Sequence, residues 1–379
     1  MSFKDIVIYG MRPPDERATR IIYQKSVRRE TIDKFLSTAS KAEKADFLRY
    51  FYILREMLFA YFAVSERPLL YFDNSAIQAV LHSDKKSRQP QFNSLLALLC
   101  LSEDYCLVDL AAYLSPTIAF EANHRKRIAT EADAASVLQR IGAAMEGIGL
   151  DTVSVNFDTA TELADAAQRL EQDQNNILAA IKAVRDMNWK LNKANHQLVV
   201  PLPLAIAEEQ VPDVELTYFR PWYVKFILMA FIVRELYEAN KHWPEFRNIC
   251  KQELDRSVVG NVLSTNGGKL SGLGDIELYS HCELNSQSAS RVPYVCMAVA
   301  FDGTLNKALW GRMQIHGRSF GFRGGSSNSN IFATAMMYSR IRSAKVDEKL
   351  NRRAGEYHEA LRSFSKDILI KHYPEMKPL

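Results

Sequence analysis

Two short apolar runs, far apart in the chain, end in the same way. Leu69–Phe72 runs into Asp73-Asn74-Ser75, and Tyr294–Phe301 runs into Asp302-Gly303-Thr304. Each has the pattern of a buried strand that stops on an aspartate and turns into a helix. In an open α/β sheet the functional crevice lies beyond the carboxyl ends of the strands, so the two aspartates are expected to share one site. Two carboxylates forced together repel and do not both ionise unaided. A divalent cation removes that penalty, so the pattern points to an acidic metal site rather than to ordinary turn chemistry.

The rest of the chain sorts around these two runs. Residues 1–66 form an N-terminal helical region: after a short strand at Ile6–Tyr9, Asp46–Val64 carries apolar and aromatic side chains (Phe47, Tyr50, Phe51, Leu54, Leu58, Tyr61) at helical spacing. That stripe is a core-facing surface rather than an aromatic ligand cage. Residues 67–130 alternate as α/β, with helices expected from Ser75 and over Asn93–Leu101, and a second strand at Cys106–Leu110. Ser115-Pro116 then reads as the N-cap and first position of a helix reaching about Ile128.

Residues 131–250 are mostly helical and read as an insertion, with a long helix expected over Glu162–Ala194 and another over Tyr223–Ala239. Within it, Thr152–Phe157 alternates briefly like a strand. The α/β pattern returns over 251–340, with a Gly-rich loop at Ser264–Gly274, a helix opening at Asp275 and the strand Val295–Phe301. Residues 341–379 are a charged C-terminal helix.

Composition narrows the class without naming a function. A chain of 379 residues with 47% apolar and 24% charged residues is globular rather than disordered. The net charge of +4 names no partner, although Lys and Arg cluster locally at His124-Arg125-Lys126-Arg127. The five cysteines show no CxxC or Cys/His spacing of a zinc site, and an odd, scattered set suits a reducing compartment. Met1–Gly10 contains Lys4 and Asp5 and no sustained apolar core, so no secretory leader is expected. The most apolar stretch, Trp222–Val233, contains Lys225 and falls short of the roughly 20 residues that span a bilayer. A soluble, cytoplasmic protein without membrane attachment is expected.

Two further carboxylates lie between the opening pair. Glu121 sits mid-helix among Ile118, Ala119, Phe120 and Ala122, where no capping role is open to it. Asp275 follows Gly-Leu-Gly at a helix start, and Glu277 lies roughly 200° further around that helix. Asp275 is therefore the preferred site residue and Glu277 its solvated neighbour. Each carboxylate has an ordinary alternative: Asp73, Asp275 and Asp302 can be helix caps or turn residues, and Glu121 a surface glutamate. The order strand–Asp, helix–Glu, loop–Asp–helix, strand–Asp is what lifts the group above those readings. Oxygen-only ligation suits Mg²⁺ or Mn²⁺.

In that order, Leu70-Tyr-Phe-Asp73-Asn-Ser75, Leu114-Ser-Pro-Thr-Ile-Ala-Phe-Glu121, Gly274-Asp275-Ile-Glu-Leu278 and Val299-Ala-Phe-Asp302 resemble the acidic motifs of PIN-domain nucleases. The resemblance covers about 67–130 and 251–315. It implies a PIN-like parallel sheet flanked by helices, split by the 131–250 insertion. It also implies that Asp73, Glu121, Asp275 and Asp302 hold Mg²⁺ or Mn²⁺ for phosphodiester hydrolysis, with RNA favoured over DNA. Two features depart from the family: the insertion itself, and Ala300-Phe301 before the last aspartate where the family often places Thr or Ser. Thr304 follows instead.

Basic residues near the acids are candidates for gripping the nucleic-acid backbone: Lys85, Lys86 and Arg88; Arg125, Lys126 and Arg127; and Arg318 and Arg323, which alternate with Phe320 and Phe322 in the Gly/Ser/Asn-rich segment 317–330. Any of these clusters can equally be a solvated surface. No GxSxG, P-loop or HExxH motif is present. Two other readings compete. One is a non-catalytic interaction protein using the helical region, and the other a metal-dependent phosphohydrolase acting on nucleotides. The insertion is a candidate surface for a regulatory protein partner or a second copy of the chain. By analogy with the family, the setting is toxin–antitoxin control or antiviral defence.

Overall fold

The computed structural model describes residues 6–7, 14–64, 69–106, 110–114, 130–155, 160–196, 199–219, 221–256, 264–266, 269–271, 273–282, 296–302, 305 and 344–376. Within them the chain builds one five-stranded sheet flanked by helices, a mixed α/β architecture. The strands are β1 (Ile6–Val7), β2 (Leu69–Phe72), β3 (Ala111–Leu114), β4 (Asp151–Val155) and β7 (Cys296–Val299), in the order β1-β4-β3-β2-β7. β7, β2, β3 and β4 run parallel, and β1 pairs antiparallel with β4 at the edge. Leu70, Tyr71 and Phe72 are all buried, as a central parallel strand covered on both faces requires.

The chain leaves β2 for β3 and β4 on one side, then returns to place β7 on the other side of β2. The connection thus reverses direction between β2 and β7. The register there is Phe72 beside Val299, and Asp73 extends it by donating its N–H to the Val299 carbonyl at 2.9 Å.

The helices form around this sheet for legible reasons. In α2 (Lys41–Val64) the buried stripe is Phe47, Phe51, Leu54 and Leu58. It packs with α1 (Pro14–Thr38), α4 (Gln89–Cys106) and α11 (Ala344–Phe364), the last continuing through a π turn at Ser365–Leu369 to Ile370–His372. Phe51 and Phe364 meet at 5.1 Å between ring centroids. α3 (Asn74–Leu81) starts directly after β2. α5 (Glu131–Gly147) opens on a capping box between Thr130 and Asp133.

Where α5 ends, Gly149 takes φ +80°, and a Cβ there would lie 2.5 Å from the Arg28 guanidinium. Glycine lets buried Arg28 reach the Ile148 carbonyl at 2.7 and 2.9 Å while pairing with buried Glu103.

Several expected elements shift. α4 runs through Cys106, so the strand expected at Cys106–Leu110 lies instead at Ala111–Leu114. α6 (Ala160–Asp186) ends before the expected Ala194. There the Trp189 indole donates to the Val184 carbonyl at 2.6 Å, and the Asn188 side chain accepts from the Lys190 N–H at 3.1 Å. The Gly-rich stretch 264–274 holds a hairpin, β5 (Ser264–Asn266) against β6 (Lys269–Ser271).

The region expected as a helical insertion, 131–250, begins with a sheet unit: α5 leads into β4, which pairs with β3. After α6 come α7 (Pro203–Gln210), α8 (Pro221–Ala239) and α9 (Pro244–Arg256). Their outer part has its own core of Val184, Trp189, Ile232, Leu236, Trp243 and Phe246. Buried Asn240 accepts from the Leu191 N–H at 2.7 Å and donates to the Trp189 carbonyl at 2.8 Å. Among the described residues no helix is long and apolar enough to cross a membrane.

Candidate functional site at the strand ends

Ligands of open α/β sheets bind beyond the carboxyl ends of the strands, at the point where strand order reverses. Here that point is the junction of β2 and β7, and both strands continue into aspartates. Asp73 follows Phe72 directly and is 5% exposed, whereas Asp302 stands three residues past Val299 and is exposed.

Ser75 ties the two strand ends together. Its N–H donates to Asp73 Oδ2 at 2.9 Å and its hydroxyl donates to the same oxygen. The Ser75 hydroxyl in turn accepts from the Phe301 N–H at 2.9 Å, so one side chain bridges from β2's aspartate to the residue before β7's. Asp302 Oδ1 accepts from the Leu305 N–H at 2.8 Å. The capping chemistry open to both aspartates is therefore realised: Asp73 caps α3, and Asp302 makes the equivalent bond three residues on.

Capping does not describe Asp73 fully. Burial pushes its carboxyl above the usual aspartate range, the Ser75 and Asn74 hydrogen bonds pull it back, and the charge of Asp302 pushes it up again. Burial is the largest of these influences and the Asp302 charge the smallest.

The remaining expected residues fall in three groups. Asp275 lies in the first turn of α10 (Leu273–Cys282), half-buried. Among the described residues no three His, Cys, Asp or Glu side chains gather closely enough to hold an ion, so Asp275 does not complete a three-ligand group with Asp73 and Asp302. Lys85 and Lys86 are exposed in the turn between α3 and α4, with Lys86 Nζ 3.8 Å from a Glu43 carboxylate oxygen. Arg88 is half-buried and donates to the Gln91 side chain at 3.1 Å. Gln91 donates to the Tyr50 hydroxyl at 3.4 Å, and the Tyr50 ring meets Phe301 edge-on at 5.1 Å, which links Arg88 to the β7 end. Glu121, Arg125, Lys126, Arg127, Arg318 and Arg323 lie outside the described residues.

Glu277 departs from its expected place. It is 5% exposed rather than solvated, and accepts from the Tyr218 hydroxyl at 3.2 Å. It also borders two sheet tyrosines, Tyr71 and Tyr113, whose rings stand 4.8 Å apart. Burial first, then the Glu277 charge, pushes both of their hydroxyls well above the usual phenol range. The helical period held the signal: Gly274 and Leu278, three residues before and one after Glu277, are buried on that side of α10.

In kind, the donors are carboxylate oxygens, the ligand type that a hard cation takes. No family model, curated protein or solved structure matches the chain.

Proposed function

We propose that the protein is a PIN-like, metal-dependent nuclease that hydrolyses phosphodiester bonds, with RNA its favoured substrate. One observation carries the reading: Asp73 and Asp302 follow the two strands between which the sheet reverses, and Ser75 ties the two strand ends together. The sequence order of the four acidic motifs supports it.

Asp73 and Asp302 would hold Mg²⁺ or Mn²⁺, with Glu121 joining them as the motif order implies. The bound cation supplies a water of lowered pKa and neutralises charge on the phosphate. The chain's own contribution is orientation. Ser75 fixes Asp73 Oδ2 through its amide and hydroxyl and holds the β7 end through Phe301, so the carboxylate spacing is set before any cation or substrate arrives. Lys85, Lys86 and Arg88 follow α3 and supply positive charge for the substrate backbone.

The capping bonds of Asp73 and Asp302 favour a second reading, a non-catalytic interaction protein whose aspartates only end strands and start helices. Incubation with single-stranded and structured RNA and DNA, with Mn²⁺, Mg²⁺ or EDTA, separates the two. The nuclease reading predicts metal-dependent cleavage that falls at least ~100-fold in Asp73→Asn, a loss of several kcal/mol of charge stabilisation. Cleavage that survives Asp73→Asn would sink the site, and no cleavage of any substrate would favour the interaction protein. Competition by free nucleotides in the same assay tests the phosphohydrolase alternative.

A further inference from the structure

Arg88 is a half-buried guanidinium whose side-chain partner is neutral. It immediately precedes α4 and donates to the Gln91 side-chain oxygen at 3.1 Å. Among the described residues no carboxylate pairs with it. Lys86, two positions earlier, differs, because a Glu43 carboxylate oxygen stands 3.8 Å from its Nζ. A guanidinium does not shed its proton to escape burial. One that is partly withdrawn from water without a counter-charge therefore favours an arriving anion.

A second guanidinium reaches the same place from α2. Arg49, whose side chain is 60% exposed, donates to the Tyr50 hydroxyl at 2.9 Å. That hydroxyl also accepts from the Gln91 side-chain amide at 3.4 Å. Arg49, Tyr50, Gln91 and Arg88 thus form one hydrogen-bonded row from α2 to α4, cationic at both ends and neutral in the middle. Asp46 stands 3.1 Å from Arg49 on the same helix, but both side chains are open to water, which leaves little net energy in the pair.

Tyr50 also fixes where the row stands. Its ring meets Phe301 edge-on at 5.1 Å, the Phe301 N–H donates to the Ser75 hydroxyl, and Asp302 is the next residue. The row therefore borders the β7 end of the acidic site. A guanidinium is a planar fork that matches two phosphate oxygens, and its direction is set here before any ligand arrives. Single strands are held in this way, by cations that track the backbone beside aromatic rings.

We infer that Arg49 and Arg88 form a phosphate seat for the backbone of single-stranded RNA, oriented by Tyr50 and Gln91, and that the strand reaches the ends of β2 and β7 across the α2–α4 edge. The inference rests on the reading of RNA as substrate and requires no cation. It sets Arg88 apart from Lys86 and brings α2 into the site.

Fluorescence anisotropy of a labelled oligouridylate in EDTA reads this seat without metal or cleavage. Arg49→Gln and Arg88→Gln should each weaken binding, and the double variant should weaken it roughly tenfold. Each should also make the slope of log affinity against log salt shallower by about 0.7, the single-strand value for one phosphate contact. Tyr50→Phe keeps both charges and the ring against Phe301, so it should lower affinity at an unchanged slope, the mark of a positioning residue. Lys241→Gln, the same charge change just beyond α8, should alter neither. Affinity and slope unchanged in the double variant would overturn the seat and leave the nuclease reading standing. Wild-type protein that binds no oligouridylate would also overturn the seat, and displacement by an equal concentration of uridine monophosphate would overturn its assignment to a strand. RNA bound through both arginines by a protein that cleaves nothing would uphold the seat and remove the nuclease.

Discussion

Asp173 and Asp73 are both buried aspartates, and they are kept out of water in opposite ways. Asp173 is met by donors from a distant loop, three amides and a hydroxyl, so its charge is solvated by protein. Asp73 receives hydrogen bonds from the first residues of its own helix, and its long-range electrostatic neighbour is another carboxylate. The first arrangement is self-sufficient: the fold supplies what water would have supplied. The second relies on local donors alone, and burial still raises its carboxyl above the usual aspartate range. A buried carboxylate satisfied by remote donors ties distant parts of the chain together, whereas one satisfied by the start of its own helix makes no such tie.

That contrast can be broken most directly by stability measurements. Asp173→Ala strands three backbone amides, that of Phe219 buried and those of Thr217 and Tyr218 part-buried, each worth about 1 kcal/mol. A loss of about 3 kcal/mol, read as a fall in the urea midpoint at unchanged slope, is expected. Asp73→Asn keeps an oxygen acceptor for the α3 cap and removes the repulsion from Asp302, so stability should stay within about 0.5 kcal/mol of wild type. Equal destabilisation by the two variants would mean that Asp73 is as structural as Asp173. Ser75→Ala sharpens the picture on a smaller scale. It removes the hydroxyl shared by Asp73 and the Phe301 amide, which should cost about 1 kcal/mol and lower cleavage by less than Asp73→Asn does. Cleavage unaltered by Ser75→Ala would remove Ser75 from the site.

How much of this was readable without coordinates depended on whether the signal was local. The β2–Asp73–α3 and β7–Asp302 junctions were legible because an apolar run and a terminal acid lie within a few residues. So was the stripe of α2, because Phe47, Phe51, Leu54 and Leu58 recur at helical spacing. The start of β3 was not, since nothing in Cys106–Leu110 marks where α4 stops. The end of α6 depends on the Trp189 indole folding back onto Val184, which composition does not announce.

Glu277 is hard to place from sequence for a related reason. A glutamate on a helix is solvated unless the other face of that helix is already known, and here the covering residues are Tyr71, Tyr113 and Tyr218 from remote parts of the chain. β4 hides in the same way. Its alternation is too short to outweigh the helices around it, and only pairing with β3 shows that the sheet continues past residue 131. The strand-end pair could be proposed from sequence; its distinction from Asp173 could not, because every donor to Asp173 lies more than forty positions away.

The most direct measurement is calorimetric titration of wild-type protein, Asp73→Asn and Asp302→Asn with Mn²⁺. If the two strand-end carboxylates form a cation site, wild type binds, Asp73→Asn loses binding and Asp302→Asn weakens it, while all three keep the same urea midpoint within error. Mn²⁺ binding that is equal in all three proteins, or absent from wild type, would contradict the account.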